Sequence, residues 1–516
     1  VNPETRDYPP MITTLDEHAR LVERLGRPDR WNPAVNAVRV VATHISSVLL
    51  VDGEAYKIKK PVDFGFLDFS TLEKRRHCCT EEIRLNRRLA PDIYLGVAAI
   101  TGSVDEPRVG DDAAPIEYAV HMRQFPADAL LARQPELLST ARIDDIACQV
   151  ARFQAEIARA APDSGFGDPD AVYFPMGQNF DQLRERVTDP DDLDRLAALE
   201  IWTRTGFEQL KPRLAARLAD GYVREGHGDM HLGNIALDGD RLIIFDGIEF
   251  NANLRWIDVI NEIAFLMMDL DRIGRRDLAL RFLNTWLEET GDYDGLYLVR
   301  FYQVYRAMVR TKIAAIRLGQ ELTGEEREEV TAAYREYLTL AESYLDDPDP
   351  LLVITHGPSG SGKSVAAGRF VTTRPAVQIR SDIERKRLVG LSARERSGSG
   401  LDAGLYTSGM GERTYARLLE ISRVVLGAGF TAVADATFLK AAQRAPFREL
   451  AEELGIPFRI LAPQAPEQEL RRRVAERLTR GDDPAEAGLE VLENQLVSMQ
   501  PLSDEESGLV MDAPGD

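Results

Sequence analysis

Two separate groups of residues in this sequence have the types and spacing needed to hold the phosphates of a nucleotide. The first is His227-Gly228-Asp229 with Asn234 and Asp246, and the second is the glycine-rich string 357–364. Phosphoryl transfer needs a group that takes a proton from the attacking hydroxyl, and oxygen ligands for a divalent cation. Because one active site needs only one of these arrangements, the sequence predicts two nucleotide sites on one chain.

The first group follows the order of a catalytic loop and a metal-binding strand. Asp229 is predicted to accept or orient the hydroxyl proton, while Asn234 and Asp246 are predicted to hold Mg²⁺ on the phosphates of ATP. Such a site also requires a lysine on an upstream strand. Lys57 and Lys59 share one face of a predicted strand, because side chains alternate along a strand, so either of them fits this role.

Further residues of the first site are predicted from the surrounding elements. Glu82, in a helical segment, is the predicted partner of the lysine, and Met122, in a strand-like run, is predicted to line the adenine pocket. Glu249, Asp258 and Glu262 are candidates for contact with a polar substrate. Helix caps and surface carboxylates explain these three residues equally well, so both interpretations stay open.

The glycine-rich string fits G-x-x-x-x-G-K-[ST] between an apolar run and a helix-compatible segment. In that context backbone N–H groups bind phosphate, the lysine reaches the outer phosphates and the last hydroxyl binds Mg²⁺. Ser364 is therefore predicted to be a metal ligand as well as a phosphate contact. The predicted nucleotide contacts are Gly357, Ser359, Gly360, Ser361, Gly362, Lys363 and Ser364.

Residues further along the chain are predicted to complete the second site. Asp435 ends an apolar run and is predicted to orient Mg²⁺, and Asp382 is the predicted base for an acceptor hydroxyl, with a helix cap as its alternative. Arg473 and Arg477 share a predicted helix. They are predicted to close on the transferring phosphate, whose oxygens need positive charge, although arginine runs also occur on solvated faces.

The order of predicted elements divides the chain into two domains. Short strands and a helix fill the first part, helices follow, and an acidic, proline-containing stretch at 346–350 marks the boundary. Five apolar runs then alternate with helical segments, at 351–355, 377–380, 431–435, 458–461 and 509–511. Such alternation predicts a parallel sheet covered on both faces. The predicted domains are 1–347, with an N-lobe of about 1–126 and a helical C-lobe of about 127–347, and 348–516.

Composition limits the possible partners. The 63 basic and 84 acidic residues give a net charge of -21, which disfavours nucleic acid and anionic membranes. Cys78, Cys79 and Cys148 fit neither a disulfide framework nor a metal site, and no uncharged run approaches the roughly 20 residues of a membrane helix. These features predict a cytoplasmic protein that binds neither nucleic acid nor membrane, and its oligomeric state stays open.

The second site resembles the small P-loop kinase group that includes gluconate kinase, adenylylsulfate kinase and zeta toxins. The resemblance covers residues 351–512 and is carried by 357–364, 380–385 and 433–438, together with the two arginines at 473 and 477. It implies phosphoryl transfer to the hydroxyl of a small molecule. A switch ATPase is the alternative.

The first site lacks a G-x-G-x-x-G turn before its lysine strand, and 227–235 is similar to the motif of the aminoglycoside phosphotransferases. Nearly the whole chain resembles the bacterial family of bifunctional aminoglycoside phosphotransferase-like and P-loop ATP-binding proteins of the AAA type. The matching stretches are 56–62, 64–69, 85–91, 245–250 and 305–310. The resemblance implies an α+β protein-kinase-like N-terminal domain fused to an α/β P-loop kinase domain with a parallel sheet.

Together these features predict an ATP- and Mg²⁺-dependent tandem phosphotransferase. It would move the γ-phosphate to a hydroxyl of a sugar, an aminocyclitol or a related metabolite. One alternative is an N-terminal kinase regulated by a nucleotide-binding P-loop domain. Another is a zeta-toxin-like kinase that acts on a sugar nucleotide or a protein. The sequence identifies neither the acceptor nor whether both sites turn over.

Overall fold

The structure is a computed structural model that describes residues 11–65, 67–110, 114–395, 408–480 and 488–512. The chain forms two compact units, each assembled from separate stretches of sequence. The first unit comprises Val1–Leu138, Phe153–Pro175 and Lys211–Leu266, and the second comprises Ser139–Arg152, Met176–Leu210 and Met267–Asp516. These units follow spatial contacts rather than sequence domains, so the boundary after residue 347 stays a prediction.

The N-terminal part is a six-stranded sheet with two helices. Its elements are α1 (Leu15–Leu25), β1 (Val38–Ala42), β2 (Ser46–Val51), β3 (Glu54–Lys59), α2 (Leu72–Asn86), β4 (Tyr94–Gly102), β5 (Pro107–Val109) and β6 (Pro115–Arg123). The strand order is β1-β2-β3-β6-β4-β5, and each neighbouring pair is antiparallel. At the β2–β3 turn, Asp52 and Gly53 both have positive φ, at 44° and 89°, as a type I′ hairpin requires. The short strands predicted for the first part of the chain are confirmed.

Helices dominate the middle of the chain, with four short strands among them. The elements are α3 (Thr140–Glu156), α4 (Pro169–Arg184), α5 (Pro190–Ala219), β7 (Val223–Glu225), β8 (Ile235–Asp238), β9 (Arg241–Ile244), β10 (Trp256–Asp258), α6 (Val259–Arg272), α7 (Arg276–Thr290), α8 (Leu296–Leu318) and α9 (Gly324–Ser343). Strands β8 and β9 pair as a hairpin, with Ile235 opposite Ile244. This pairing places Asn234, just before β8, beside Phe245, just after β9.

The C-terminal part contains a five-stranded parallel sheet. Its elements are β11 (Leu352–Thr355), α10 (Lys363–Phe370), β12 (Ala376–Arg380), α11 (Ser381–Arg387), α12 (Ser408–Gly427), β13 (Thr431–Asp435), α13 (Ala441–Leu454), β14 (Phe458–Leu461), α14 (Glu467–Arg480), α15 (Leu489–Ser498), α16 (Asp504–Ser507) and β15 (Val510–Met511). The strand order is β12-β13-β11-β14-β15. The predicted parallel sheet is confirmed. Because the carboxyl ends of its strands share one edge, the residues that follow β11, β12 and β13 converge there.

Among the described residues, none of the helices combines the length and the apolar character that crossing a membrane demands.

Candidate active sites

An ion-pair network at the centre of the first candidate site joins three distant parts of the chain. Lys57 Nζ on β3 lies 2.9 Å from Glu82 Oε1 on α2 and 2.5 Å from Asp246 Oδ1 after β9. Burial opposes the charge of Lys57, but Asp246 and Glu82 outweigh burial and raise the pKa of Lys57. Burial likewise acts to raise the pKa of Glu82, and the neighbouring lysines lower it instead. The network therefore holds a charged lysine between two carboxylates.

Lys59 has a different environment, although it lies on the same strand face. Its ammonium contacts Glu82 Oε2 at 2.6 Å and also Glu249 Oε1, and it lies 4.9 Å from the ring centroid of Phe69. The side chain of Lys59 is 1% exposed, whereas that of Lys57 is 13% exposed. Of the two lysines, Lys57 is the one that contacts Asp246.

The predicted base and one predicted metal ligand are adjacent in the loop before β8. Asn234 Nδ2 donates to the main-chain oxygen of Asp229 at 2.9 Å and to Asp229 Oδ2 at 3.0 Å. His231 Nε2 lies 3.4 Å from the same carboxylate oxygen. The Asp229 side chain is 36% exposed, so an acceptor molecule can reach it.

Glu262 on α6 fixes the main chain of this loop through hydrogen bonds. Its Oε1 accepts hydrogen bonds from His227 N at 2.5 Å and from Gly228 N at 3.0 Å. Gly228 has φ of 83°, and a Cβ there would lie 2.7 Å from Leu254 O, so only glycine fits. Burial lowers the pKa of His227, whose ring bonds to Phe245 O at 2.8 Å. Glu262 is 1% exposed, and its position does not support the predicted substrate contact.

Two residues that sequence reasoning missed anchor the loop of Asp246, a predicted metal ligand. Asp246 N donates to the hydroxyl of Tyr94 on β4 at 3.0 Å, and Gly247 N donates to Asn86 Oδ1 on α2 at 2.7 Å. Asp246 itself has φ of 63°, which is uncommon for a residue other than glycine. Tyr94 lies in no motif, and Asn86 lies in the stretch 85–91 that carries the family resemblance but was given no role there. Both contacts span more than 150 residues, so the sequence did not indicate them.

The other weak candidates have structural roles. Asp258 pairs with Arg217 at 2.7 and 2.9 Å and caps α6 by accepting from Ile260 N at 2.9 Å. Glu249 pairs with Lys59. The helix-cap interpretation therefore holds for Asp258, and Glu249 is an ion-pair partner rather than an exposed carboxylate. Met122 is partly buried on β6, opposite Ala55, and packs against the core beside this site.

The second candidate site is built on a loop in which three glycines have positive φ. Gly357, Gly360 and Gly362 have φ of 133°, 84° and 98°. A Cβ at Gly360 would lie 2.8 Å from Leu470 O, so the loop packs too closely for a side chain there. Helix α10 begins at Lys363, which places the loop's N–H groups at a helix N-terminus, where anions bind.

A cavity of about 270 Å³ lies beside this loop. Its walls bring together most of the residues predicted for the second site: Ser359, Gly360, Gly362, Lys363, Ser364, Asp382, Asp435, Arg473 and Arg477. Gly357 and Ser361 lie in the same loop, and Ser361 Oγ is buried without a hydrogen-bond partner, as expected of a group prepared for a ligand. The walls also include Ser381, Tyr415, Thr437 and Gln495, none of which was predicted as a site residue.

The charged groups of this cavity are close to one another. Lys363 Nζ donates to Pro358 O at 2.7 Å, and burial lowers the pKa of Lys363 to about 8 despite Asp435 and Asp382 nearby. Asp382 Oδ1 lies 3.5 Å from the Arg385 guanidinium, and its side chain is 28% exposed. It lies in the first turn of α11 without capping that helix, so the helix-cap alternative is not supported.

Two long side chains bond directly to the phosphate loop. Gln495 Oε1 on α15 accepts from Ser359 N at 2.7 Å, and Arg473 donates to Gly360 O at 3.2 Å. Asp435 is 4% exposed and accepts from Gln378 Nε2 at 2.8 Å. No motif contains Gln378 or Gln495, which explains why sequence reasoning did not select either.

The side chains at both sites fit Mg²⁺ bound together with phosphate. Across the described ranges, no cluster of three or more His, Cys, Asp or Glu side chains is arranged to hold a metal by itself. Asn234 and Asp246 in the first site, and Ser364 and Asp435 in the second, each offer one carboxylate and one neutral oxygen. Mg²⁺ is commonly held by one or two carboxylates when phosphate oxygens and water supply the other ligands.

Comparison with known families matches each site separately. Residues 96–299 match the phosphotransferase enzyme family, and residues 352–502 match the AAA domain. The first match contains Asp229, Asn234 and Asp246, and the second contains the glycine-rich loop. These matches confirm the predicted enzyme class, an ATP-dependent phosphotransferase.

Among solved structures, choline kinase from Cryptosporidium parvum is 12% identical, with 64% of this chain and 96% of that chain covered and a TM-score of 0.39. A gluconokinase from Sinorhizobium meliloti is 19% identical, with 33% and 86% covered and a TM-score of 0.24. Both similarities are too low to indicate function.

The Mycobacterium tuberculosis protein Rv2004c, whose name describes it as uncharacterized, is 32% identical over 421 residues, which cover 81% of each chain. A Mycobacterium bovis protein, Mb2027c, matches to the same extent. Since this relationship extends across both matched regions, the chain belongs to the bacterial family that joins an aminoglycoside phosphotransferase-like domain to a P-loop ATP-binding domain.

Proposed function

We propose that the chain is a tandem phosphotransferase, in which each site binds ATP with Mg²⁺ and transfers the γ-phosphoryl group to a hydroxyl of a small molecule. One observation carries this proposal. Lys57, Glu82 and Asp246 form a single ion-pair network, although Lys57 and Asp246 are 189 positions apart in the sequence. A lysine held between a helix glutamate and a metal-binding aspartate is the arrangement on which kinase-type phosphoryl transfer depends.

In the first site Asp229 takes the proton of the acceptor hydroxyl. As it does so, the hydroxyl oxygen bonds to the γ-phosphorus and the bond from that phosphorus to the β–γ bridging oxygen breaks, which leaves ADP. Asn234 and Asp246 hold Mg²⁺, which when bound neutralises charge on the phosphates. The amide nitrogen of Asn234 is engaged by Asp229, which leaves its oxygen for the cation.

Lys57 is the better candidate of the two lysines for contact with the α- and β-phosphates. It is the more exposed one, and its partner Asp246 is needed by the cation, so nucleotide binding frees Lys57 to turn to phosphate. Lys59 is enclosed by Glu82 and Glu249 and stays there. Glu82 contacts both lysines and keeps Lys57 in place during this exchange.

In the second site Asp382 is the proposed base and Lys363 the contact to the outer phosphates. Ser364 and Asp435 hold the cation. Arg473 and Arg477 surround the group in transit, whose charge is spread over three oxygens. The shared cavity of about 270 Å³ supports this division of roles, because all six side chains line it.

A sugar, an aminocyclitol or a related hydroxylated metabolite is the proposed acceptor, and the cytoplasm the proposed location. The acceptor class rests on the resemblance of the two halves to aminoglycoside phosphotransferases and small-molecule P-loop kinases. Three free thiols, at Cys78, Cys79 and Cys148, support a reducing compartment.

The test is a search for phosphorylated products. Purified protein is incubated with ATP, Mg²⁺ and a metabolite extract, and mass spectrometry identifies compounds that gain one phosphoryl group. A tandem enzyme predicts one product that disappears with Asp229→Asn and another that disappears with Lys363→Ala. If Lys363→Ala spares every product and only changes the ATP dependence, the P-loop half is a regulator. If neither variant removes a product, the tandem function is wrong.

A further inference from the structure

Helix α7 lies against the second site, although it belongs to the region that matches the phosphotransferase enzyme family. It falls in the same compact unit as the P-loop. Strand β12 is an edge of the parallel sheet, and Asn284 on α7 bonds to its main chain twice. The Asn284 amide donates to Ala376 O at 3.0 Å and accepts from Gln378 N at 2.7 Å. The Asn284 amide thus pairs with main-chain groups of this edge strand that a neighbouring strand would otherwise bond.

Gln378 links this contact to the proposed magnesium ligands. Its side chain donates to Asp435 Oδ2 at 2.8 Å and to Ser364 O at 3.3 Å. Asn284 and Gln378 are 6% and 8% exposed, so water competes little for these bonds. The position of the Gln378 backbone, which Asn284 holds, therefore determines where its side chain meets Asp435.

Besides the contact of Asn284 with β12, the same region makes a second contact, in which Tyr293, just after α7, bonds to helix α11. Its hydroxyl donates to Glu384 Oε1 at 3.0 Å, and Arg387 donates to Glu288 O at 2.7 Å. Glu384 is fully buried, while Asp382 lines the cavity. Residues two apart point to different sides of a helix, so the Glu384 contact fixes the rotation that aims Asp382 into the site.

We propose that Asn284 and Tyr293 are positioning residues of the P-loop site, so that the phosphotransferase-family region completes this site. Asn284 acts through Gln378 on Asp435, and Tyr293 acts through Glu384 on Asp382. The inference rests on the proposed binding of ATP and Mg²⁺ by the P-loop site. It predicts that substitutions in the region that matches the phosphotransferase enzyme family change how nucleotide binding at the P-loop site depends on Mg²⁺.

The experiment measures binding of ATP at increasing Mg²⁺ in chains that carry Asp246→Ala, which removes the metal-binding aspartate of the first site. Asn284→Leu keeps the branching of the side chain and loses both bonds, and we expect it to need about tenfold more Mg²⁺, as is typical for residues behind a metal ligand. Asn284→Ala also loses both bonds but adds neither bulk nor a buried charge, and it should show a similar increase. This second variant keeps the test valid if Asn284→Leu does not fold.

Tyr293→Phe has a different expected effect. It should slow formation of the product that Lys363→Ala abolishes, while the affinity for ATP stays unchanged, because Asp382 acts on the acceptor rather than on the nucleotide. Two controls in the same unit remove buried hydrogen bonds away from the P-loop: Thr311→Val, which loses a bond to Ala307 O, and Tyr337→Phe, which loses a bond from Arg310. Neither should change metal dependence or product formation.

The outcomes separate the inference from the function on which it rests. If the Asp246→Ala parent binds no ATP, the proposed function of the P-loop site is wrong. If the parent binds ATP and both Asn284 variants have the Mg²⁺ dependence of Thr311→Val, the role of Asn284 is overturned. Product formation by Tyr293→Phe equal to that of Tyr337→Phe overturns the role of Tyr293.

Discussion

Glu82 contacts two lysines, and the other partner of each lysine differs. Lys57 also contacts Asp246, the proposed ligand of the cation, so we expect the contacts of Lys57 to change when a nucleotide binds. The charge of Lys59 is compensated by Glu82 and Glu249, and all three side chains are almost fully buried. Removing one member of a buried pair leaves an uncompensated charge, which costs about 3–5 kcal/mol of stability. Substitution of Lys57 should therefore mainly reduce ATP affinity, and substitution of Lys59 should mainly reduce stability.

We expect Lys57→Met to lower the affinity of the first site for ATP by at least about tenfold, the loss of one charge-assisted contact, with a modest loss of stability. Lys59→Met should lose about 3–5 kcal/mol of unfolding free energy and keep most of its ATP affinity. Both are measured in a Lys363→Ala background by titration with ATP and by urea unfolding. Arg75→Met breaks the buried pair between Arg75 on α2 and Glu117 on β6 and serves as the control for stability alone. Equal loss of ATP affinity in both lysine variants would contradict the assignment.

Lys363 gives the second site a dependence on pH. Burial lowers its pKa to about 8, so the free site loses this proton as the pH rises through that value. Bound phosphates favour the ammonium form and raise the pKa again, so binding above pH 8 requires proton uptake. Affinity for ATP should be constant between pH 7 and 8 and then fall by up to about tenfold per pH unit.

Titration of the Asp246→Ala chain with ATP from pH 7 to pH 9.5 measures this dependence. Lys363→Arg is the control, because a guanidinium stays charged over the whole range. Its affinity is expected to be lower but flat above pH 8. A flat profile for the lysine protein, or an equal decline for the arginine variant, rules out Lys363 as the titrating group.

The arginines of helix α14 lie on different faces of the helix and make different contacts. Arg471 and Arg472 are paired with glutamates at its exposed surface. Arg473 bonds to Gly360 O, although it is 44% exposed and also pairs with Glu469, and Arg477 lines the cavity of the second site. A run of arginines that looks uniform in sequence is therefore divided by helical geometry into solvent-facing and site-facing residues.

Arg477→Ala should weaken binding of ATP by about tenfold or more while ADP binding changes little, because the proposed contact is to the γ-phosphate. Arg471→Ala and Arg472→Ala should leave both affinities and the melting temperature unchanged, since exposed ion pairs contribute little. The arginine substitutions are made in the Asp246→Ala chain, and competition between ATP and ADP then measures the ratio of the two affinities. The same ATP-to-ADP ratio in all three variants would exclude Arg477 from the γ-phosphate site.

The strands of the P-loop domain were predictable because each is a short apolar run bounded by breakers or loops. The run predicted at 431–435 is strand β13, and that at 351–355 differs from β11 by one residue. Helix α1 was not predicted, although Thr14 and Glu17 form a capping box ahead of its apolar residues. Strand β4 was also missed. Its sequence includes two glycines and two alanines, and only pairing with β6 and β5 makes it a strand.

The sites were predictable where chemistry is encoded in spacing along the chain. The glycine-rich loop and the series Asp229, Asn234, Asp246 are of this kind. The roles of Asn86, Tyr94 and Gln378 were not predictable, because each acts through contacts with residues far away in sequence. For the same reason the strand period could not choose between Lys57 and Lys59. That choice depends on Glu249, 190 positions away from Lys59.

For the whole molecule, the two proposed nucleotide sites predict two nucleotides per chain. Calorimetric titration with a non-hydrolysable ATP analogue and Mg²⁺ should give a ratio of two for the unchanged protein. Lys363→Ala and Asp246→Ala should each give one, and their combination should give none. Any difference between the affinity of a site in the unchanged protein and in the single variants measures coupling, which must be equal in both directions. Tyr337→Phe, remote from either set of residues, should keep the ratio at two. A ratio of one for the unchanged protein would mean that only one of the two arrangements holds nucleotide, and the variant that abolishes binding would show which.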